Sequence, residues 1–364
     1  MPRAPSQPIP VTVLTGFLGS GKTTLLNRLL ADPAMRDAAV IINEFGEISI
    51  DHMLVESSSD GVIELSDGCL CCTVRGELVD TLADLIDRLQ TGRIGALSRI
   101  IIETTGLADP GPVMQAIMGH PALIQALRLD GVVTTVDAVH GAATLDRHEE
   151  AVRQVAVADR LLVTKLDLVS PDDAARLRSR LAALNGRATM VDGATASVTD
   201  ISGCGLWNAE TGHADVGAWL GHEGSHDNHD HDHDHDHSHH DHRIRTHVLV
   251  HDRPIDHAAL ETFVDLLRSL HGEKLLRMKA VVELSEDPSR PLVLHGVQTV
   301  LHPPARLPAW PDGPRGVRVV LITFDLEGDY VERLFRAVTS KSGVDEPDRA
   351  ALEANPLAIG GMRR

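Results

Sequence analysis

Aromatic side chains are scarce in this sequence, since only 2% of its 364 residues are Phe, Trp or Tyr. Its cores must therefore be aliphatic, built from Leu, Val, Ile and Ala. No apolar run approaches the roughly 18 to 20 residues that span a bilayer, so we expect no membrane partner. The N-terminus, MPRAPSQPIP, lacks the apolar core of a secretory signal. We expect residues 1–8 to be a disordered lead-in and the protein to be cytoplasmic.

Positive charge is also in deficit. Lys and Arg number 34 against 52 Asp and Glu, which gives a formal net charge of −18 at pH 7, and no basic run occurs. Nucleic-acid binding depends on a basic face that neutralises phosphates. The composition therefore excludes a general nucleic-acid binder.

Cysteine is rare but clustered. Of the four cysteines, Cys69, Cys71 and Cys72 fall within GCLCC, and Cys204 stands alone. Thiols stay reduced in the cytoplasm, so the cluster indicates a metal or catalytic site rather than a disulfide framework. We interpret Cys204 as structural.

The hydrophobic pattern predicts two domains. Apolar runs that are typical of buried parallel strands alternate with helical patterns, which indicates an α/β fold. These runs are IPVTVLTG, AVIIN, RIIIET, GVVTTVD and RLLVT, and the clearest helix lies over 74–89. We expect an α/β domain with a mainly parallel sheet, a linker, a smaller α+β domain and a tail. Their predicted bounds are 9–205, 206–242, 243–345 and 346–364.

The segment GFLGSGKT, Gly16 to Thr23, matches the spacing of a phosphate-binding loop. It follows a strand pattern and opens a helix pattern, which argues against a chance match in a Gly-rich turn. Glycines let backbone amides approach phosphate, Lys22 reaches the β and γ oxygens, and Thr23 holds Mg²⁺. The predicted nucleotide-binding residues here are Gly16, Gly19, Ser20, Gly21, Lys22, Thr23 and Thr24.

The strand RIIIET ends in Glu103, and Gly106 follows three residues later. An acid at this position steadies Mg²⁺ through water, and a glycine lets an amide approach the γ-phosphate. The alternative is an ordinary acid at a strand end. We assign the catalytic roles to Lys22, Thr23 and Glu103.

The stretch TKLD supplies a reader of the base. Asp167 can accept hydrogen bonds from guanine N1–H and the 2-amino group, Lys165 can pack over the ring, and Thr164 replaces the usual Asn. Adenine lacks this donor pair, so the motif predicts GTP, and the first domain, 9–205, is expected to be a P-loop GTPase domain. The alternative is a helix-capping Asp after a strand.

The motifs GFLGSGKTTLLN, NEFGEISID, GCLCC, ETTGLADP, LDGVVTTVDAVH and TKLDL occur in this order. In order and spelling they resemble the CobW-type metallochaperone GTPases, nearest the bacterial YjiA-like branch, and KLLRMKAV and GVQTV extend the resemblance into the second domain. The resemblance implies GTP hydrolysis coupled to handling zinc, cobalt or a similar ion.

The cysteine cluster predicts the metal site. A helix N-terminus lowers thiol pKa values, and three thiolates with Glu47, water or imidazole match tetrahedral zinc and also suit cobalt(II) or copper(I). Glu44 is an alternative ligand to Glu47. A nucleophilic cysteine and a turn of small packed residues are the competing interpretations. Because Glu47 lies in a predicted switch loop, GTP would complete the site and hydrolysis would open it.

Residues 222–242 contain ten His and six Asp and no apolar side chain. They predict a disordered arm of many weak metal sites, and the alternative is a charged, solvated linker. The named ligands are His229, His231, His233, His235, His237, His239 and His240. His120 is a secondary candidate, although a lone His is more often an ordinary surface or core residue.

Three functions follow from these patterns. The first is a GTPase that delivers metal to a client metalloprotein or a cofactor-assembly protein. The others are a metal store or sensor, and an assembly GTPase with a structural zinc. The second domain is expected to dock the client or another subunit. The sequence does not decide whether the protein forms a homodimer. No catalytic Gln or arginine finger stands out, which predicts slow intrinsic hydrolysis.

Overall fold

The computed structural model describes residues 8–43, 62–65, 73–206, 215–220, 243–311 and 315–340. Within these ranges, no helix combines the length and the apolar character that a membrane crossing requires. The described residues form two sheets, each with its own helices.

The first sheet has seven parallel strands in the order β3-β2-β4-β1-β5-β6-β7. The strands are β1 (Ile9–Gly16), β2 (Ala38–Asn43), β3 (Val62–Leu65), β4 (Arg99–Thr104), β5 (Leu127–Asp137), β6 (Arg160–Thr164) and β7 (Thr189–Asp192). Its helices are α1 (Lys22–Leu30), α2 (Thr73–Gln90), α3 (Gly111–Gly119), α4 (Gly141–Arg147), α5 (Glu149–Ala156) and α6 (Pro171–Leu184). The short α7 (Val216–Leu220) follows in the chain and packs on the second sheet through Trp219.

The apolar runs are continuous because this sheet is covered on both faces. On β4, Ile100 and Ile102 belong to a core cluster with residues of α2 and α3. Ile101, between them, belongs to a second cluster with Leu25 and Leu26 of α1. Consecutive residues of a strand point to opposite faces, so a strand with two buried faces needs apolar residues throughout.

The second sheet is antiparallel, in the order β11-β10-β9-β13-β8, and a short β12 also pairs with β10. Its strands are β8 (Ile244–His251), β9 (Leu275–Leu284), β10 (Asp287–Val297), β11 (Val300–Leu301), β12 (Ala305–Arg306) and β13 (Val317–Phe324). Two helices, α8 (His257–His271) and α9 (Gly328–Thr339), pack together through Phe263 and Phe335, whose ring centroids lie 5.3 Å apart. The predicted fold class, a parallel α/β domain followed by a smaller α+β domain, is confirmed.

The two sheets share part of their core. Leu276, Val297 and Phe324 of the second unit belong to the same buried cluster as β1, α2 and α3 of the first. Polar contacts cross the same boundary, including Gln115 Nε2 to Gln298 Oε1 at 2.6 Å. The two units are therefore joined by both apolar and polar contacts.

Candidate functional site

The phosphate-binding loop is shaped by three glycines with positive φ, namely 141° at Gly16, 72° at Gly19 and 90° at Gly21. These conformations suit glycine, and a side chain at Gly16 would also meet Thr135 atoms 2.3 Å away. The α1 helix begins at Lys22 directly after the loop. A glycine loop that opens a helix in this way presents backbone amides and a positive helix end to an anion.

Lys22 is buried with its charge directed back into this loop. Its Nζ donates to the carbonyl oxygens of Gly16 at 2.8 Å and Phe17 at 3.3 Å. The ammonium is thus held where the loop would enclose phosphates.

Thr23 and Glu103, the two residues predicted to hold Mg²⁺, are in contact in the structure. Thr23 Oγ1 donates to Glu103 Oε1 at 3.2 Å, although 80 residues separate them. Glu103 is buried at the carboxyl end of β4, next to β1, which leads into the loop. Two oxygen donors, one of them anionic, fit the hard ligand set that Mg²⁺ prefers.

Gly106 packs directly against the phosphate-binding loop. A Cβ added there would lie 2.5 Å from the backbone nitrogen of Leu18. The side chain of Gln154 on α5 donates from Nε2 to the carbonyl oxygens of Gly106 at 3.1 Å and Ala108 at 3.0 Å. The loop that would sense a γ-phosphate is thus joined to α5.

The base-reading motif is tied to the same loop. Thr164 Oγ1 donates to Ser20 O at 2.8 Å, and Lys165 Nζ donates to Gly19 O at 2.8 Å. The Thr in place of the usual Asn therefore still connects the motif to the loop. Asp167 lies exposed in a short 3-10 turn, Leu166–Leu168, with its carboxylate accessible to a ligand.

Sequence reasoning missed Asp137, at the end of β5. Its Oδ2 accepts from Lys165 Nζ at 2.7 Å, and its Oδ1 accepts from the Val139 amide at 2.7 Å. Lys165 is held by this carboxylate in a left-handed conformation, with φ 59°. The signal was an Asp at a strand end within the stretch TTVDAVH, next to the end of β6 in the sheet.

The predicted metal ligands Glu47, Cys69, Cys71 and Cys72, the alternative Glu44 and the His-rich segment 222–242 lie outside the described residues. His120 is described, and it is the exposed C-cap of α3. Among the residues that the structure describes, no group of three or more His, Cys, Asp or Glu side chains could hold a metal ion. The metal-ligand assignments therefore stay predictions.

Cys204 lies beside the side chain of Arg160. Arg160 Nε donates to its sulfur at 3.1 Å, and burial raises the pKa of the thiol to about 12. The group is therefore a neutral thiol, which fits the structural interpretation better than a reactive one.

This arrangement of a glycine-rich loop at a helix start, an acidic strand end and the TKLD motif on a parallel sheet is that of a P-loop GTPase. Residues 10–192 match the CobW/HypB/UreG nucleotide-binding domain, and residues 244–339 match the C-terminal domain of the cobalamin synthesis protein CobW. The chain belongs to the CobW/HypB/UreG family.

Two relatives that are named zinc chaperones match this chain, one over nearly its whole length and the other over about half. The chain is 35% identical to the zinc chaperone YjiA of Escherichia coli over 328 residues, which cover 90% of this chain and 98% of the relative. It is 38% identical to the zinc chaperone CobW of Pseudomonas aeruginosa over 205 residues, which cover 48% of this chain and 53% of that protein.

A solved structure has the same overall fold. The crystal structure of the Zn(II)-bound YjiA GTPase from E. coli superposes with a TM-score of 0.66 at 30% identity, covering 91% of this chain and 99% of the other. A triple mutant of that GTPase, in which a glutamate and two cysteines are replaced by alanine, gives 0.65 and is also described as Zn(II)-bound.

Proposed function

We propose that this protein is a GTP-hydrolysing zinc chaperone that binds its metal at Cys69, Cys71 and Cys72 and couples nucleotide state to metal release. The GTPase site supports GTP hydrolysis. Relatives that are named zinc chaperones favour zinc over cobalt as the metal. Delivery to a client metalloprotein is part of the proposal. A homodimer and the cytoplasmic location stay predictions.

One observation carries the metal part of the proposal. Strands β2 and β3 pair in parallel, with Asn43 opposite Leu65, so the chain leaves the sheet toward Glu47 and toward Cys69 from adjacent strand ends. Asn43 is also opposite Thr104, next to Glu103. The α2 helix then begins at Thr73, directly after Cys72. Both segments thus start at the edge of the sheet that carries the GTPase site.

The residues of the site divide the chemistry of hydrolysis between them. Lys22 and the loop amides stabilise negative charge on the phosphates, and Thr23 and Glu103 would hold Mg²⁺. Bound there, Mg²⁺ would neutralise charge on the β and γ oxygens. Asp137 orients Lys165, which sets the distance between the base reader and the phosphate loop.

The same edge provides the proposed switch. When GTP orders the loop after β2, Glu47 joins the thiolates and completes a tetrahedral site, and hydrolysis releases it. The His-rich arm would collect metal for this site. Its last residue precedes Arg243, which is fixed by an ion pair with Glu149 at 2.7 Å and by stacking on Phe324. Arg243, the residue that follows the arm in the chain, therefore lies beside α5.

Cobalt(II) titration tests the cysteine site. Thiolate-bound cobalt absorbs in the near ultraviolet, so the full chain with GTP analogue should show a band that Cys71→Ser abolishes. Cys204→Ser is the matched control and should keep the band, because its neutral thiol is bonded to Arg160. A thiolate band that survives Cys71→Ser, or one that depends on Cys204, would refute the proposed site.

A further inference from the structure

The loop that follows β7 lies beside the predicted base reader. Strands β6 and β7 are parallel neighbours, with Val163 opposite Asp192, so their carboxyl ends meet at the same edge of the first sheet. The TKLD motif leaves β6 at that edge, and residues 193–196, which we call the base-side loop, leave β7 there. Open α/β sheets bind ligands along the carboxyl ends of their strands. The base-side loop is therefore next to the place where Asp167 would read guanine.

The base-side loop packs directly against the first residue of the TKLD motif. The Gly193 amide donates to Val163 O at 2.8 Å. A Cβ added at Gly193 would lie 2.7 Å from Thr164 Cγ2 and 3.1 Å from Val163 O, so the loop and the motif are in close contact. Thr164 in turn donates to Ser20 O in the phosphate-binding loop. A displacement of the base-side loop would therefore change the packing of the residue that begins the motif.

Arg28, in the last turn of α1, holds the base-side loop through its backbone. Its Nη2 donates to Gly193 O at 2.8 Å and to Ala196 O at 2.7 Å, and its Nη1 donates to Ala194 O. One planar guanidinium thus binds three carbonyl oxygens of a four-residue loop. The fork geometry of arginine suits such a multiple contact, whereas a lysine ammonium is a single point charge.

Further contacts fix the loop in the conformation that Arg28 binds. Leu25 of α1 belongs to the same buried cluster as Ala196. Asp192 accepts from the Ala194 amide through Oδ1 at 2.8 Å and from the Ala196 amide through its carbonyl oxygen at 3.0 Å. The amides of these two residues are thus bonded to Asp192 while their carbonyl oxygens are bonded to Arg28.

The helix that carries Arg28 also carries the predicted phosphate and Mg²⁺ ligands. Lys22 and Thr23 begin α1, and Arg28 lies within the same nine residues. The helix therefore joins the phosphate half of the nucleotide site to the base-side loop through a regular backbone of fixed length. The bonds of Thr164 and Lys165 to the phosphate-binding loop are the other connection between these two halves.

We propose that Arg28 is a positioning residue for guanine recognition. By holding the base-side loop against the TKLD motif, it keeps the base at a fixed distance from the bound phosphates, and it need not touch the nucleotide itself. This inference rests on the assignment of Asp167 as the base reader and adds the side chain that keeps that half of the site in place. It does not depend on the zinc proposal. Loss of Arg28 should therefore weaken a whole nucleotide more than its phosphates alone.

Calorimetric titration of the full chain with GDP and with pyrophosphate, both with Mg²⁺, separates the two halves of the site. We expect Arg28→Ala to weaken GDP about tenfold, the size of one lost charged hydrogen bond, and to leave pyrophosphate unchanged. Arg28 is exposed, so its removal opens no buried cavity. Arg28→Lys should recover part of the loss, because it keeps the charge without the planar fork. Arg88→Ala, in the last turn of α2, is the matched control and should bind both ligands normally.

Two further measurements distinguish positioning from a general loss of structure. The KM for GTP should rise by the same factor in Arg28→Ala while kcat is kept, since KM equals the dissociation constant when hydrolysis is slow. Gly193→Ala, whose new Cβ pushes the loop away from Thr164, should also lower the affinity for GDP relative to pyrophosphate.

The proposal is overturned if Arg28→Ala binds GDP like the unmodified chain, or if it loses pyrophosphate affinity by the same factor as GDP affinity. Asp167→Asn in the same titration tells this failure apart from a wrong base reader. If Asp167→Asn loses GDP affinity and Arg28→Ala does not, only the role of Arg28 is wrong. If neither variant loses it, the assignment of Asp167 is wrong as well.

Discussion

At the scale of single residues, the predicted selectivity for guanine depends most on Asp167, whose carboxylate is the group proposed to read the base. In Asp167→Asn one acceptor becomes a donor, which leaves the guanine 2-amino group facing an N–H. We expect GDP affinity to fall roughly 100-fold or more, the size of two lost charged hydrogen bonds. Xanthosine diphosphate, with an oxygen at that position, should regain affinity in the variant.

Fluorescent nucleotide titration measures both effects. Asp172→Asn, an exposed carboxylate in the first turn of α6, is the matched control and should leave GDP affinity unchanged. Equal GDP binding by Asp167→Asn and the unmodified chain would mean that the base is read elsewhere.

Gly106 provides a second test at this scale. In Gly106→Ala the new Cβ meets the Leu18 backbone, so the phosphate loop or the sensing loop must move. A displacement near 1 Å can cost about 100-fold in rate, and we expect kcat for GTP to fall by that order. Gly95→Ala meets nothing within 4 Å and should hydrolyse GTP normally. Steady-state phosphate release compares the two variants, and matching rates would contradict the steric argument.

At the scale of elements, α5 connects the nucleotide site to the second domain. Gln154 bonds to the loop of Gly106, and Arg153 lies 3.6 Å from Asp109 and over the ring of Phe324 at 4.1 Å. At its first residue, Glu149 pairs with Arg243. These contacts link the sensing loop through α5 to β13 and to Arg243.

Gln154→Leu should break this path while nucleotide binding is kept. Hydrogen–deuterium exchange in β8 and β13 should differ between GDP and a GTP analogue in the unmodified chain, and the variant should lose that difference. Gln115→Leu is the matched control, because Gln115 is also buried and bonds across the domain boundary, at Gln298. It should lower stability without removing the nucleotide response. An intact response in Gln154→Leu would show that α5 is not the path.

The sequence predicted the strands that carry chemistry better than the edge strands. The five long apolar runs of the first domain became β1, β2, β4, β5 and β6, and the helix over 74–89 became α2. Two four-residue strands at the sheet edges, β3 and β7, were missed. A run of four residues such as TMVD, half-buried throughout, carries too little periodicity to separate a strand from a loop.

Site residues that lie within one short motif were predictable from the sequence. Lys22, Thr23 and Thr164 follow from motifs, whereas the pairing of Asp137 with Lys165 joins residues 28 apart on neighbouring strands. Only the strand order of the sheet brings those two together.

At the scale of the whole molecule, Asp159 joins the two domains electrostatically. Burial opposes its charge, but Arg277, Lys279 and the Val132 amide lower its pKa from 3.8 to about 2. A carboxyl whose pKa is lower in the folded state stabilises the fold above its unfolded pKa. That stability, about 2 kcal/mol, is lost as the pH falls from about 4 through about 2.

Urea unfolding between pH 7 and pH 2 should show this loss. Asp159→Asn should be about 3–5 kcal/mol less stable at pH 7, because two buried cations lose their counter-charge, and its acid dependence should be shallower. Asp252→Asn removes a carboxylate that is 80% exposed and should change stability little. An acid profile identical in all three proteins would remove Asp159 from the interface account.

Control of zinc affinity by the nucleotide state is the proposed function of the cysteine cluster. The most direct measurement is zinc affinity by competition with a chelating dye, with GDP and with a non-hydrolysable GTP analogue. The ten His of 222–242 would be replaced by Asn, so that only the cysteine site reports. A coupling of about 1–3 kcal/mol predicts about 5- to 150-fold tighter zinc with the GTP analogue. Tight zinc binding that depends on Cys71 but is equal with both nucleotides would contradict the account and indicate a structural zinc instead.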